Sequence, residues 1–159
     1  MGCIRFLNYE MNQSTLKMRN LAERLTAYEA TGHQLTDLEK PETFLIIEKL
    51  RPHLANLMGK AGFFALLSRS LALASTDVLW LGMVHLKSNG ALEAFDPFEA
   101  HVSPEDFFEG KVVLLAAMLG LLVGLIGEEL TLQLMRKSMP QLSINDLDLN
   151  PRDPNEKIK

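Results

Sequence analysis

The chain has 159 residues, 47% of them hydrophobic and 23% charged, which is enough apolar side chain for one buried core and excludes a disordered segment as the default. Its net charge of −4 argues against a nucleic-acid partner, and the densest charge run (Glu93, Asp96, Glu99, Glu105, Asp106, Glu109) has no Lys or Arg within it to neutralise phosphate. A single cysteine, Cys3, excludes an internal disulfide, and a cytoplasmic location is the simplest expectation.

Residues 4–31 contain no Gly or Pro, and Ile4, Leu7, Met11, Ser14, Met18, Leu21, Leu25 and Tyr28 recur at alternating spacings of three and four. That period predicts an amphipathic helix whose stripe packs on the domain's own core or meets a partner helix, including a second copy of the chain. The seven nonpolar members, Ile4, Leu7, Met11, Met18, Leu21, Leu25 and Tyr28, are the candidate partner-binding residues. Met1-Gly2-Cys3 is similar to an acylation start, but Phe6 stands where Ser or Thr is usual.

A polar connection over 33–43 leads to a second helical pattern, 42–58, with Phe44, Ile47, Leu50, Leu54 and Leu57 on one face. Pro52 lacks an amide donor and predicts a break or kink near Arg51, and Gly59 closes the segment. The next helix, 60–76, carries a row of small residues: Ala61, Ala65, Ser68, Ala72 and Ser75. Asp77 is expected to cap a further turn. Asn89-Gly90 then signals the one hairpin, near residues 83–95, and a loop of Ser88 to Gly90 would pair Leu86 with Leu92 and His85 with Glu93. Ser103, followed by Pro104 and Asp106, reads as a helix start, and Gly110 as a break.

Sixteen residues, Val112 to Gly127, then pass without a polar side chain, and the helical pattern continues to Arg136 and Lys137 before Pro140. Such a rod has to be sheathed by protein or lipid. Its apolar length is about 24 Å, short of the ~30 Å hydrocarbon core, which favours a protein sheath. The whole stretch 111–138 would measure about 42 Å and run through the domain as its axis. Ala116, Gly120 and Gly124 form a groove into which the small face of 60–76 is expected to pack. Arg69, a charge within an otherwise apolar stretch of its helix, would then form a buried ion pair with Glu128 or Glu129. Residues 141–159 are expected to be a flexible tail.

The expected architecture is all-α: a helical bundle around a central apolar helix, with one short β-hairpin. Residues 1–31 form an N-terminal amphipathic helix, 33–139 the helical core domain and 140–159 a tail. None of the four histidines, His33, His53, His85 and His101, has a second ligand at metal-binding spacing, and no nucleophile elbow, phosphate loop or dinucleotide fingerprint occurs. The reading is therefore a non-enzymatic helical interaction or regulatory domain without cofactor or metal, binding a protein partner or its own copy. The alternatives are a membrane-associated protein inserting an apolar hairpin (61–74 and 112–127), and a ligand-binding bundle or unmarked enzyme with a cavity between those segments.

Overall fold

The computed structural model describes residues 16–28, 44–93 and 102–140, and these form a helical assembly with one two-stranded ribbon. Helix α1 covers 16–28, α2 covers Leu45–Asp77, a 3-10 helix covers Leu79–Met83, and α3 and α4 cover Pro104–Ile126 and Glu128–Ser138. The strands are β1, His85–Leu86, and β2, Leu92–Glu93. The all-α class with a short hairpin is the observed one.

The core is a single cluster to which every helix contributes. Helix α1 supplies Met18, Leu21, Ala22 and Leu25, all at most 2% exposed. The described part of the N-terminal stripe is thus spent inside the domain, and Met18, Leu21 and Leu25 are not available to a partner. Tyr28 is half-buried. Ile4, Leu7 and Met11, the connection 33–43 and the tail 141–159 lie outside the described residues.

Helix α2 continues helically through Arg51 and Pro52, contrary to the expected break there. The missing amide of Pro52 removes one bond, and the rest of the turn survives because Leu50 and Leu54 on either side are fully buried. The interruption falls at Gly59, whose φ of 78° and ψ of 166° are closed to ordinary L-residues. Leu57, expected on the buried face, lies just before that break and is 55% exposed. Past it, the buried face of α2 is Phe63, Leu66, Leu67, Ser70 and Ala74. The Ser70 hydroxyl donates back to the Leu66 carbonyl at 2.7 Å, so it enters the core without an unmet polar group.

Asp77 does not cap the following turn: the 3-10 helix starts from Val78 with no side-chain cap. Trp80 anchors it. Its indole N–H donates to the Asp106 carbonyl at 3.1 Å, and its ring stacks on Phe107 at 5.1 Å. Gly110 lies beneath that ring, and a Cβ there would stand 2.1 Å from Trp80 Cζ2. This explains why Gly110, expected to break α3, sits inside a continuous helix: the glycine is needed for close approach, not for a bend.

The hairpin has the expected register, His85 opposite Glu93 and Leu86 opposite Leu92. Gly90 N–H bonds to the Lys87 carbonyl at 2.8 Å and Lys87 N–H to the Ala91 carbonyl at 2.9 Å, closing the three-residue loop. Arg51 ties its tip to α2, donating to the Gly90 carbonyl at 2.7 Å while gripping Glu48 and lying 5.0 Å over the Phe63 ring. At the start of α3, the Ser103 hydroxyl accepts from the Asp106 amide at 3.1 Å with Pro104 in the first turn, as the sequence signals.

The apolar rod is not one 42 Å axis. Gly127, with φ 90° and ψ 161°, ends α3 at Ile126, and α4 packs on both α2 and α3. Met135 and Met139 are fully buried there.

Candidate binding groove on the outer face of α3

Helix α3 is enclosed on one side and open on the other. Leu115, Met118 and Leu122, spaced three and four apart, are at most 2% exposed. Val113, Ala117, Gly120 and Gly124 recur with the same period on the opposite flank. There they form the floor of a groove of about 530 Å3, together with Ala116, Leu121 and Val123. Leu73, Ala74 and Asp77 of α2 make one wall, and Arg19 of α1 stands at the end nearest Val113. The volume falls within the ~300–1,000 Å3 usual for binding clefts.

The floor is deep because it has so little side chain. Gly120 and Gly124 are exposed, and among the described residues nothing lies within 4 Å of a Cβ built on either. The row Ala116, Gly120, Gly124 noted in the sequence is therefore a groove, as expected, but the small face of 60–76 does not fill it. Ala61, Ala65, Ser68 and Ala72 are exposed on the far side of α2. The bulky residues Phe63, Leu66 and Leu67 won the contact with α3 because they bury more apolar area than alanines can.

The groove's polar groups are at its α1 end. Arg19 donates a hydrogen bond to Glu109 and lies 3.4 Å from Glu23. The bond to Glu109 raises the Arg19 pKa further above its ordinary value, so the guanidinium stays charged. With Asp77 on the α2 wall, the mouth carries both signs and the floor neither.

The expected buried ion pair does not exist. Arg69, Glu128 and Glu129 are all exposed, and no ion pair among the described residues joins them. Each keeps its hydration, which a solvent-facing position allows without a partner.

A second opening is much smaller. A crevice between Thr26, Ile47, Lys111 and Leu115 holds about 10 Å3, room for one water. Among the described residues no three His, Cys, Asp or Glu side chains come together as a metal set. His85 is exposed, His53 is half-buried on α2, and His33 and His101 lie outside the described residues.

No protein-family model, curated protein or solved structure matches the chain. The groove's own chemistry is therefore the guide to function. The sequence exposed its floor residues but not their vacancy, because no local pattern states which neighbour covers a helix face.

Proposed function

We propose that this chain is a non-enzymatic helical interaction domain that receives an apolar helical segment of a protein partner, or of a second copy, in the groove on α3. The reading rests on one observation: none of the described residues covers the small-residue floor from Val113 to Gly124, while Leu115, Met118 and Leu122 on the opposite flank of the same helix are buried. Each helical glycine costs roughly 1 kcal/mol relative to alanine. At Gly120 and Gly124 no neighbour among the described residues uses the space that this cost creates. A docked helix would use it, because a floor without side chains lets a second backbone approach closely. The partner on this reading is a protein, since nucleic acid is disfavoured by the chain's negative charge, and the single Cys3 fits the reducing cytoplasm that the reading assigns to it.

A membrane-associated protein is the second reading. Helices Ile46–Asp77 and Pro104–Ile126 are long and apolar enough to cross a bilayer, and only 28% and 39% of their most apolar windows are buried.

A photoreactive residue placed at position 120 of the full chain in cells separates these. The proposal expects a cross-link to a polypeptide that disappears with Gly124→Leu, which fills the floor, and survives Ser68→Leu on the far side of α2. Cross-links confined to phospholipid would establish the membrane reading instead. Capture of a small molecule alone would turn the groove into a ligand site and overturn the interaction reading.

A further inference from the structure

Independently of the α3 groove, we propose that Asn89 is a self-modification site at the hairpin tip. It converts without an enzyme to aspartate and isoaspartate through a cyclic imide, at a rate set by the Arg51 clamp. Asn89 is followed by Gly90, and no other asparagine in the chain precedes a glycine. The reaction needs the amide nitrogen of the next residue to reach the asparagine side-chain carbon, and glycine brings no Cβ to hinder that approach.

The turn holds the two reacting atoms together. Ala91 N–H donates to Asn89 Oδ1 at 3.0 Å. The ring closed by that bond runs through both Asn89 Cγ and the Gly90 nitrogen, so the side chain is folded back over the peptide that attacks it. The same donor stabilises the charge that develops on Oδ1 in the tetrahedral intermediate. Asn89 is exposed, as are Lys87 and Ser88, so water and base reach the tip. What restrains the reaction is the Gly90 N–H, which is engaged with the Lys87 carbonyl at 2.8 Å. Arg51 secures that arrangement, donating to the Gly90 carbonyl at 2.7 Å while Glu48 fixes the guanidinium with bonds of 2.7 and 2.9 Å. Reaction therefore waits for the tip to open locally, without the helices coming apart.

In the open tip the Gly90 nitrogen gives its proton to solvent base and attacks Asn89 Cγ. The N–Cγ bond forms, the Cγ–Nδ2 bond breaks, and Nδ2 leaves as ammonia after taking a proton from solvent. Water then opens the imide at either carbonyl. Opening at Cγ leaves aspartate, while opening at the backbone carbonyl leaves isoaspartate, whose chain runs through Cγ and is longer by that atom. Either product adds a negative charge at position 89. The ribbon has only the pairs His85 with Glu93 and Leu86 with Leu92, so its register depends on the loop closed by the Gly90–Lys87 and Lys87–Ala91 bonds. An extra backbone atom breaks that match. Isoaspartate formation thus frees Arg51 from the tip and loosens the hairpin irreversibly.

The test uses the purified full chain in mildly alkaline buffer, with isoaspartate read by methyl labelling with an isoaspartyl carboxyl methyltransferase and located by peptide mapping. Label is expected to accumulate at position 89, and faster when the chain is unfolded in urea, where nothing holds the Gly90 amide. Arg51→Ala should raise the folded-state rate about fivefold, the factor expected when one clamping bond is lost. Glu48→Ala keeps the guanidinium but removes its anchor, so it should shift the rate the same way, and it serves if Arg51→Ala does not fold. Asn89→Ser, which has no side-chain carbonyl carbon, should give no label there. Folded chain that stays unlabelled at position 89 while unfolded chain converts completely would overturn the site. Unchanged rates in the Arg51 and Glu48 variants would overturn control by the clamp.

Discussion

At the scale of single residues, the tightest constraint is Gly110. A methyl group there would overlap the six-membered ring of Trp80, which is held by its bond to Asp106 and its stack on Phe107. Gly110→Ala is expected to lower stability by about 1–3 kcal/mol, the usual cost of overpacking, despite alanine's better helix propensity. Chemical denaturation checks it, and unchanged stability would mean the Trp80 ring is free to move. Arg51 is a second local hinge of the structure, since one guanidinium joins Glu48, the Gly90 carbonyl and the face of Phe63. Arg51→Ala should cost about 1 kcal/mol and speed hydrogen exchange at the Gly90 and Lys87 amides, leaving α3 protected. Neither role is legible in the sequence, because Trp80 and Gly110, or Arg51 and Gly90, are brought together only by the folded chain.

Elements are set by their ends. Ser103 satisfies the Asp106 amide at the start of α3, and Ser103→Ala is expected to cost about 1 kcal/mol, with the loss seen as earlier thermal melting of helical circular dichroism. Gly59 and Gly127 turn the chain with positive φ, at 78° and 90°. Replacing either with alanine should destabilise by roughly 1–2 kcal/mol, since a side chain there is strained even where space is open. Gly120→Ala meets equally open space at an ordinary helical φ and serves as the contrasting control. These ends were largely readable beforehand: the Ser103 cap, the Gly59 stop and the hairpin register all follow from contacts within five or six positions of sequence. Pro52 was misleading, since buried neighbours on both sides kept its helix intact.

For the whole molecule, α3 packs on both α2 and α4. Met118 is fully buried at the middle of its inner face. Met118→Ala is expected to cost about 2–5 kcal/mol and to loosen the packing of α2 on α3, which denaturant titration followed by Trp80 fluorescence would record as one earlier transition. The same helix holds the groove, so interior and binding surface share a single scaffold, and the inner flank fixes the position of the outer one.

What the sequence determined by itself is the helical character of the segments, one ribbon in a definite register and the Ser103 cap, whereas the joining of 42–58 with 60–76 and the split of the apolar rod at Gly127 appeared only in the structure. The former depend on period and on neighbours within a turn or two, and such information is complete in a short window. Only the tertiary structure decided what each glycine does and which helix face stays open. Gly110 admits a tryptophan, Gly127 separates α3 from α4, and Gly120 lines a floor that none of the described residues fills. Glycine's backbone preferences differ by little more than 1 kcal/mol among these outcomes, whereas burying one large side chain contributes about 1.5–3 kcal/mol, so distant packing partners choose between them.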